Sequence, residues 1–193
     1  MLRLLLGTGL GLAITSAGLD RATGRLTGPP PAAATEQQTG VCYAPSDAIA
    51  TSQANGRLAE TFIASTAGKL SRVQLDVYKP ANSTGDYLVQ LLAVDAKGKP
   101  TNKVLAKTRI YDSDVAVGTS VTVNTHFRKR KTAALKAGKR YAVAVSRPGP
   151  NGILLNGAIN GCVDDRLFLS DTQTDPFVDN SFIDLRVAVF VGF

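Results

Sequence analysis

The sequence predicts an all-β fold, a two-sheet antiparallel sandwich of eight or nine strands. Three observations carry that prediction. From about Leu58 to Phe193, apolar residues recur at every second position, the period of a half-buried strand. Glycine, proline, asparagine and aspartate punctuate this pattern at short intervals, as turns between short strands require. No helix-period segment of useful length interrupts it. The chain has 193 residues, enough for one domain with its own core. Aromatics make up 6% and tryptophan is absent, so the core must come from Val, Leu, Ile and Ala, with Phe and Tyr as the bulky pieces.

The strands follow in order. Leu58 to Ile63 comes after an Asn55-Gly56 turn. Leu70 to Tyr78 alternates most clearly, with Val73, Leu75 and Val77 on one face and Arg72, Gln74, Asp76 and Tyr78 on the other. Asp86 to Val94 is more uniformly apolar, which marks an interior strand. It closes on the turn-rich run Asp95 to Pro100. Val104 to Tyr111 comes next. Ser120 to Phe127 alternates through Val121, Val123, Thr125 and Phe127, and Lys139 to Ser146 through Tyr141, Val143 and Val145. Thr132 to Lys136, between these two, reads as a turn. Ile153 to Asn156 and Arg166 to Ser170 are short. Asp184 to Val191 places Leu185, Val187, Val189 and Val191 on one face. Many short strands with regular turns indicate a jelly roll.

The N-terminal part has a different character. Residues 1–17 read as an export signal: Arg3 supplies the positive start, Leu4 to Ile14 the apolar run, and Thr15-Ser16-Ala17 the small side chains for cleavage. The run is too short to span a bilayer, and no later segment resembles a transmembrane helix. Residues 18–40 read as a disordered linker or propeptide. They are stiffened by Gly28-Pro29-Pro30-Pro31, and order is expected to begin near Val41, in a domain covering 41–193. In an oxidising compartment the two cysteines, Cys42 and Cys162, are expected to pair. Closing that loop of about 120 residues contributes roughly 4 to 5 kcal/mol in the chain-entropy model. Two buried thiols and a metal site are the other readings of the same pair. A zinc site would need carboxylates to supplement two cysteines and the single histidine.

Several segments carry a family resemblance. Glu60-Thr61-Phe62, Gly68 to Val73 and Tyr87 to Leu91 resemble the opening of secreted bacterial jelly-roll modules. Leu135 to Val143 resembles their leucine–glycine–tyrosine segment, and Asp184-Leu185-Arg186-Val187 their closing strand. These are the choice-of-anchor and carbohydrate-binding-like β-sandwich domains, and the resemblance covers most of residues 57 to 193. It implies a role in binding, attaching or spacing other components. The missing tryptophan departs from sugar-binding relatives, which stack sugars on aromatic platforms.

No reaction centre is spelled out. His126 is the only histidine, and nothing beside it resembles Gly-x-Ser-x-Gly. Glycosidase chemistry needs two facing carboxyl groups, and Glu60 is the only glutamate in the predicted domain. Asp164, Asp165, Asp171, Asp175 and Asp179 form an acidic stretch on late loops. They read either as turn formers or as ligands of a structural calcium, although Asp171 to Pro176 lacks the EF-hand pattern. No glycine-rich phosphate loop opens a helix, so no nucleotide cofactor is expected.

The net charge is +7. Its sharpest concentration is Arg128-Lys129-Arg130-Lys131, joined by Lys136, Lys139 and Arg140. Clustered cations attract polyanions; the same run also reads as a solvated loop. No nucleic-acid-binding motif accompanies the charge. The sequence therefore predicts a secreted or cell-surface, non-catalytic binding or attachment module. Its expected partner is an extracellular polysaccharide or other anionic polymer. A self-assembling structural protein and a glycan-active hydrolase are the alternatives.

Overall fold

The computed structural model describes residues 35–42, 48–52, 54–128, 132–147, 153–159, 162, 166–180 and 183–193. The predicted export signal lies outside the described residues. The described chain is all-β, two antiparallel sheets packed as a sandwich. Its strands are β1 (Glu36–Cys42), β2 (Ala48–Thr51), β3 (Arg57–Ile63), β4 (Gly68–Tyr78), β5 (Tyr87–Val94), β6 (Pro100–Ile110) and β7 (Ser120–His126). They continue as β8 (Ala134–Leu135), β9 (Arg140–Ser146), β10 (Leu154–Ile159), β11 (Leu167–Ser170), β12 (Val178–Asn180), β13 (Ile183–Leu185) and β14 (Val187–Gly192).

One sheet has eight strands, with β1, β14, β4, β10 and β13 on its main path and β2, β7 and β8 branching from it. The other has six, in the order β12-β11-β3-β9-β5-β6. The chain passes repeatedly from one sheet to the other, as a jelly roll does.

The strand count exceeds the eight or nine expected, for physical reasons. β2, β8 and β12 have four, two and three residues, too few to show a period. The last expected strand breaks at Arg186 into β13 and β14. The expected disordered segment 18–40 is corrected at its end. Residues from Glu36 pair in register with β14, from Glu36 opposite Gly192 to Cys42 opposite Val187. A polar edge strand can form here because its pairing uses backbone groups, which hydropathy does not reveal. Thr132 to Lys136 is not a simple turn, since Ala134 and Leu135 pair with Lys69 and Gly68.

The inner faces meet in one core. Val73, Leu75 and Val77 of β4 join Leu185, Val187, Val189 and Val191, with Tyr141, Val143 and Val145 from the opposite sheet. Burying each such aliphatic side chain contributes about 1.5–3 kcal/mol. β5 is apolar on both faces because its outer face is covered as well. Leu92 packs with Ala59, Ala142, Ala144, Phe168 and Phe177 in a second cluster. Arg57 fixes that cover. Its guanidinium lies 4.2 Å from the centre of the Phe177 ring and donates to the carbonyls of Thr172 and Asp175.

Candidate functional site

The eight-stranded sheet has a notch in one edge. β4 pairs with β7 over Arg72 to Tyr78 and with β8 at Gly68 and Lys69. Between these pairings the chain leaves the sheet at Phe127, whose N–H donates to the Ser71 carbonyl at 2.8 Å. It returns at Ala133, whose carbonyl accepts from the Leu70 N–H at 2.8 Å. The Thr132 hydroxyl caps the notch by donating to the Leu70 carbonyl.

A cleft of about 660 Å³ opens here. Leu70, Phe127, Ala134, Leu135 and Phe193 form its apolar wall. Glu36, Lys69, Ser71, His126 and Thr132 supply polar groups. Lys69 and His126 are exposed. Arg128 and Lys136, also exposed, are chain neighbours of the lining residues Phe127 and Leu135. The basic run and the cleft thus come from the same stretch of chain.

The outer face of the sheet next to the cleft is organised by Arg72. Gln38, Phe190, Arg72 and His126 stand in one cross-strand row. Arg72 donates to Glu36 Oε2 at 3.0 Å and to Asn124 Oδ1 at 2.5 Å. Burial pushes the Glu36 carboxyl upward. Hydrogen bonding from Arg72 and Ser71, with the charges of Arg72 and His126, outweighs that effect and holds it below its ordinary value.

The expectations for individual residues fare differently. His126 is not isolated: it shares the cleft with Ser71 and Glu36. These groups are wired to other partners, however. The Ser71 hydroxyl bonds the Phe190 carbonyl at 3.0 Å, and Glu36 is held by Arg72. A nucleophilic triad requires the imidazole to bond both groups. Glu36, outside the predicted domain, is a second glutamate of the fold. Glu60 is fully buried and accepts from the Leu185 N–H at 2.9 Å.

Of the basic cluster, Lys129, Arg130 and Lys131 lie outside the described residues. Lys139 sits over the Tyr141 ring at 5.8 Å. Arg140 belongs elsewhere, donating to Thr61 on the six-stranded sheet, because alternation along β9 turns it away from Tyr141. Among the described residues, no group of three or more acidic, histidine or cysteine side chains could hold a metal. Asp179 pairs with Arg166 at 3.3 Å, the Asp175 carbonyl accepts from Arg57, and Asp171 is exposed. Asp164 and Asp165 lie outside the described residues. Nothing in the sequence marked Glu36, Lys69 or Ser71, which come together only through strand pairing.

No family model and no curated protein matches the chain. A clostridial cysteine protease, solved after propeptide cleavage, is similar in structure, with a TM-score of 0.51 and 16% identity. The similarity covers 80% of this chain and 39% of the protease chain. At that identity the likeness concerns the fold. No helix among the described residues is long and apolar enough to cross a membrane.

Proposed function

We propose that this chain is an exported, non-catalytic binding module. It holds an anionic polymer, a polysaccharide or other polyanion, at the notched edge of its eight-stranded sheet. The observation that carries the reading is the placement of Lys69, Arg128 and Lys136, all exposed, at or beside the residues lining the cleft. The sequence adds Lys129, Arg130 and Lys131 directly after Arg128. Clustered cations concentrate a polyanion and speed its encounter. The resemblance to choice-of-anchor and carbohydrate-binding-like modules points the same way. So does the export signal read from residues 1–17.

A Cys42–Cys162 disulfide belongs to this reading. Cys42 pairs with Val187, and the Cys162 N–H donates to the Asp184 carboxylate at 2.9 Å. Both cysteines are thereby tied to the same short stretch, which supports their pairing.

Self-assembly through sheet edges is less well supported. Val104 on β6 and Val178 on β12 are exposed on the two edge strands of the six-stranded sheet. Yet β6 also exposes Lys103 and Lys107, and β12 has only three residues, including Asp179. Charged and short edges oppose strand addition.

Retention on an immobilised sulfated dextran tests the binding reading. Lys69→Ser and Arg128→Ser should each elute earlier, while Lys107→Ser, on the six-stranded sheet, should elute with the parent chain. Equal shifts for all three would reduce the effect to net charge and contradict a localised site.

A further inference from the structure

We propose that the notch cleft takes the apolar chain of a single-chain anionic amphiphile of the fatty-carboxylate type, with its head group at the basic rim. The inference rests on the polyanion reading for its rim cations and goes beyond it by naming a ligand for the cavity. A polymer of sugars and charges would not need the apolar wall. Phe193, 69% exposed, and Ala134, also exposed, present apolar surface to the cleft, and Leu70, Phe127 and Leu135, which belong to the core, back its floor. The volume of about 660 Å³ lies within the ordinary range for small-molecule sites.

Charge places the head group. Lys69 and His126 line the cleft, and Arg128 follows the lining residue Phe127. The acid among the lining residues, Glu36, is engaged by Arg72 at 3.0 Å. An anionic head therefore meets the ammonium of Lys69 at the rim, while the chain lies against the apolar wall. A cationic or zwitterionic amphiphile would lose that complementarity.

Gly192 gives a steric test that spares the fold. It lines the cleft, and a Cβ built there meets only the Ser71 Cβ, at an ordinary 3.8 Å. A larger side chain at this position would enter the cleft.

The experiment uses the full chain and a dansyl-labelled undecanoate below its micellar concentration. Binding should saturate at one site per chain. Unlabelled octanoate, decanoate and dodecanoate should displace it, with affinity rising about fourfold per added methylene. Gly192→Leu should weaken the probe about tenfold or more without changing the thermal midpoint, and Lys69→Glu should weaken it several-fold. Gly192→Leu should leave sulfated-dextran binding unchanged.

Four results would overturn the inference: absence of saturable probe binding, no dependence on chain length, no effect of Gly192→Leu, or a concentration-dependent dimer that Gly192→Leu breaks while the probe fails to bind. A parent chain that binds sulfated dextran but not the probe would sink this inference alone. Loss of dextran binding with the probe retained would sink the polymer reading instead.

Discussion

The Arg72 guanidinium lies 3.5 Å from the centre of the Phe190 ring. With its bonds to Glu36 and Asn124, this one side chain clasps β1, β14 and β7 to β4 across the outer face of the sheet. Stacking leaves the fork of the guanidinium free to bond sideways, which a lysine cannot reproduce. Arg72→Lys is expected to destabilise the domain by about 1 kcal/mol, and Arg72→Ala by about 1–2 kcal/mol. Urea unfolding of both variants measures this. Parent-like midpoints would show that the clasp contributes nothing.

Glu36 links that clasp to pH. Its folded pKa is depressed, so its contribution is fully present above the ordinary carboxylate value and is lost as pH falls through the folded value. Acidification below about pH 5 should therefore loosen β1 against β14. Hydrogen exchange of the β1 amides should accelerate across that window in the parent chain. In Glu36→Gln the acceleration attributable to this group should disappear. An unchanged pH profile in the variant would contradict the assignment.

At Arg147, 1% exposed, a buried cation holds several loops together. It donates to the Gly85 carbonyl, to Ser83 at 2.6 Å and to Asp112 at 3.2 Å, and lies 4.9 Å from the centre of the Tyr87 ring. Asp112 also accepts from Lys79 at 2.7 Å. Burial raises the Tyr87 hydroxyl pKa, against the lowering effect of Arg147. Asp112→Asn would leave two largely buried cations facing a neutral amide. The expected loss is about 2–3 kcal/mol, below the full cost of breaking a buried pair because Asp112 is partly exposed. Chemical denaturation measures it, and a loss under 1 kcal/mol would mean that other groups neutralise the cluster.

Gly157 permits β10 and β13 to approach. A Cβ there would stand 2.5 Å from the Asp184 carbonyl oxygen and 2.8 Å from Ile183 Cγ2. The first clash is with backbone, so one strand must move. Gly157→Ala should cost about 1–3 kcal/mol, whereas Gly192→Ala should be close to neutral. Thermal unfolding of the two variants compares them directly; equal midpoints would contradict the close approach.

Much of this architecture was legible in the sequence. The alternation of Val73, Leu75 and Val77, and of Leu185, Val187, Val189 and Val191, predicts the core faces that the fold adopts. Period reports burial on one face, and these strands have it. β1 escaped notice because Glu36, Gln37 and Gln38 are exposed and its pairing is made by backbone. The site was half legible. Arg128 stands beside the cleft, but Lys69, Ser71 and Glu36 are far from it in sequence and reach the cleft only through cross-strand register. Arg140 donates to Thr61, a contact that its proximity to Lys139 in the sequence could not reveal.

The most direct test of the account is the salt dependence of sulfated-dextran affinity, measured by calorimetry on the full chain and on Lys69→Ser/Arg128→Ser. A localised basic edge predicts that affinity falls steeply with added salt, and that the double variant binds more weakly with a shallower slope, while Lys107→Ser matches the parent. Affinity that ignores salt, or a double variant indistinguishable from the parent, would contradict it.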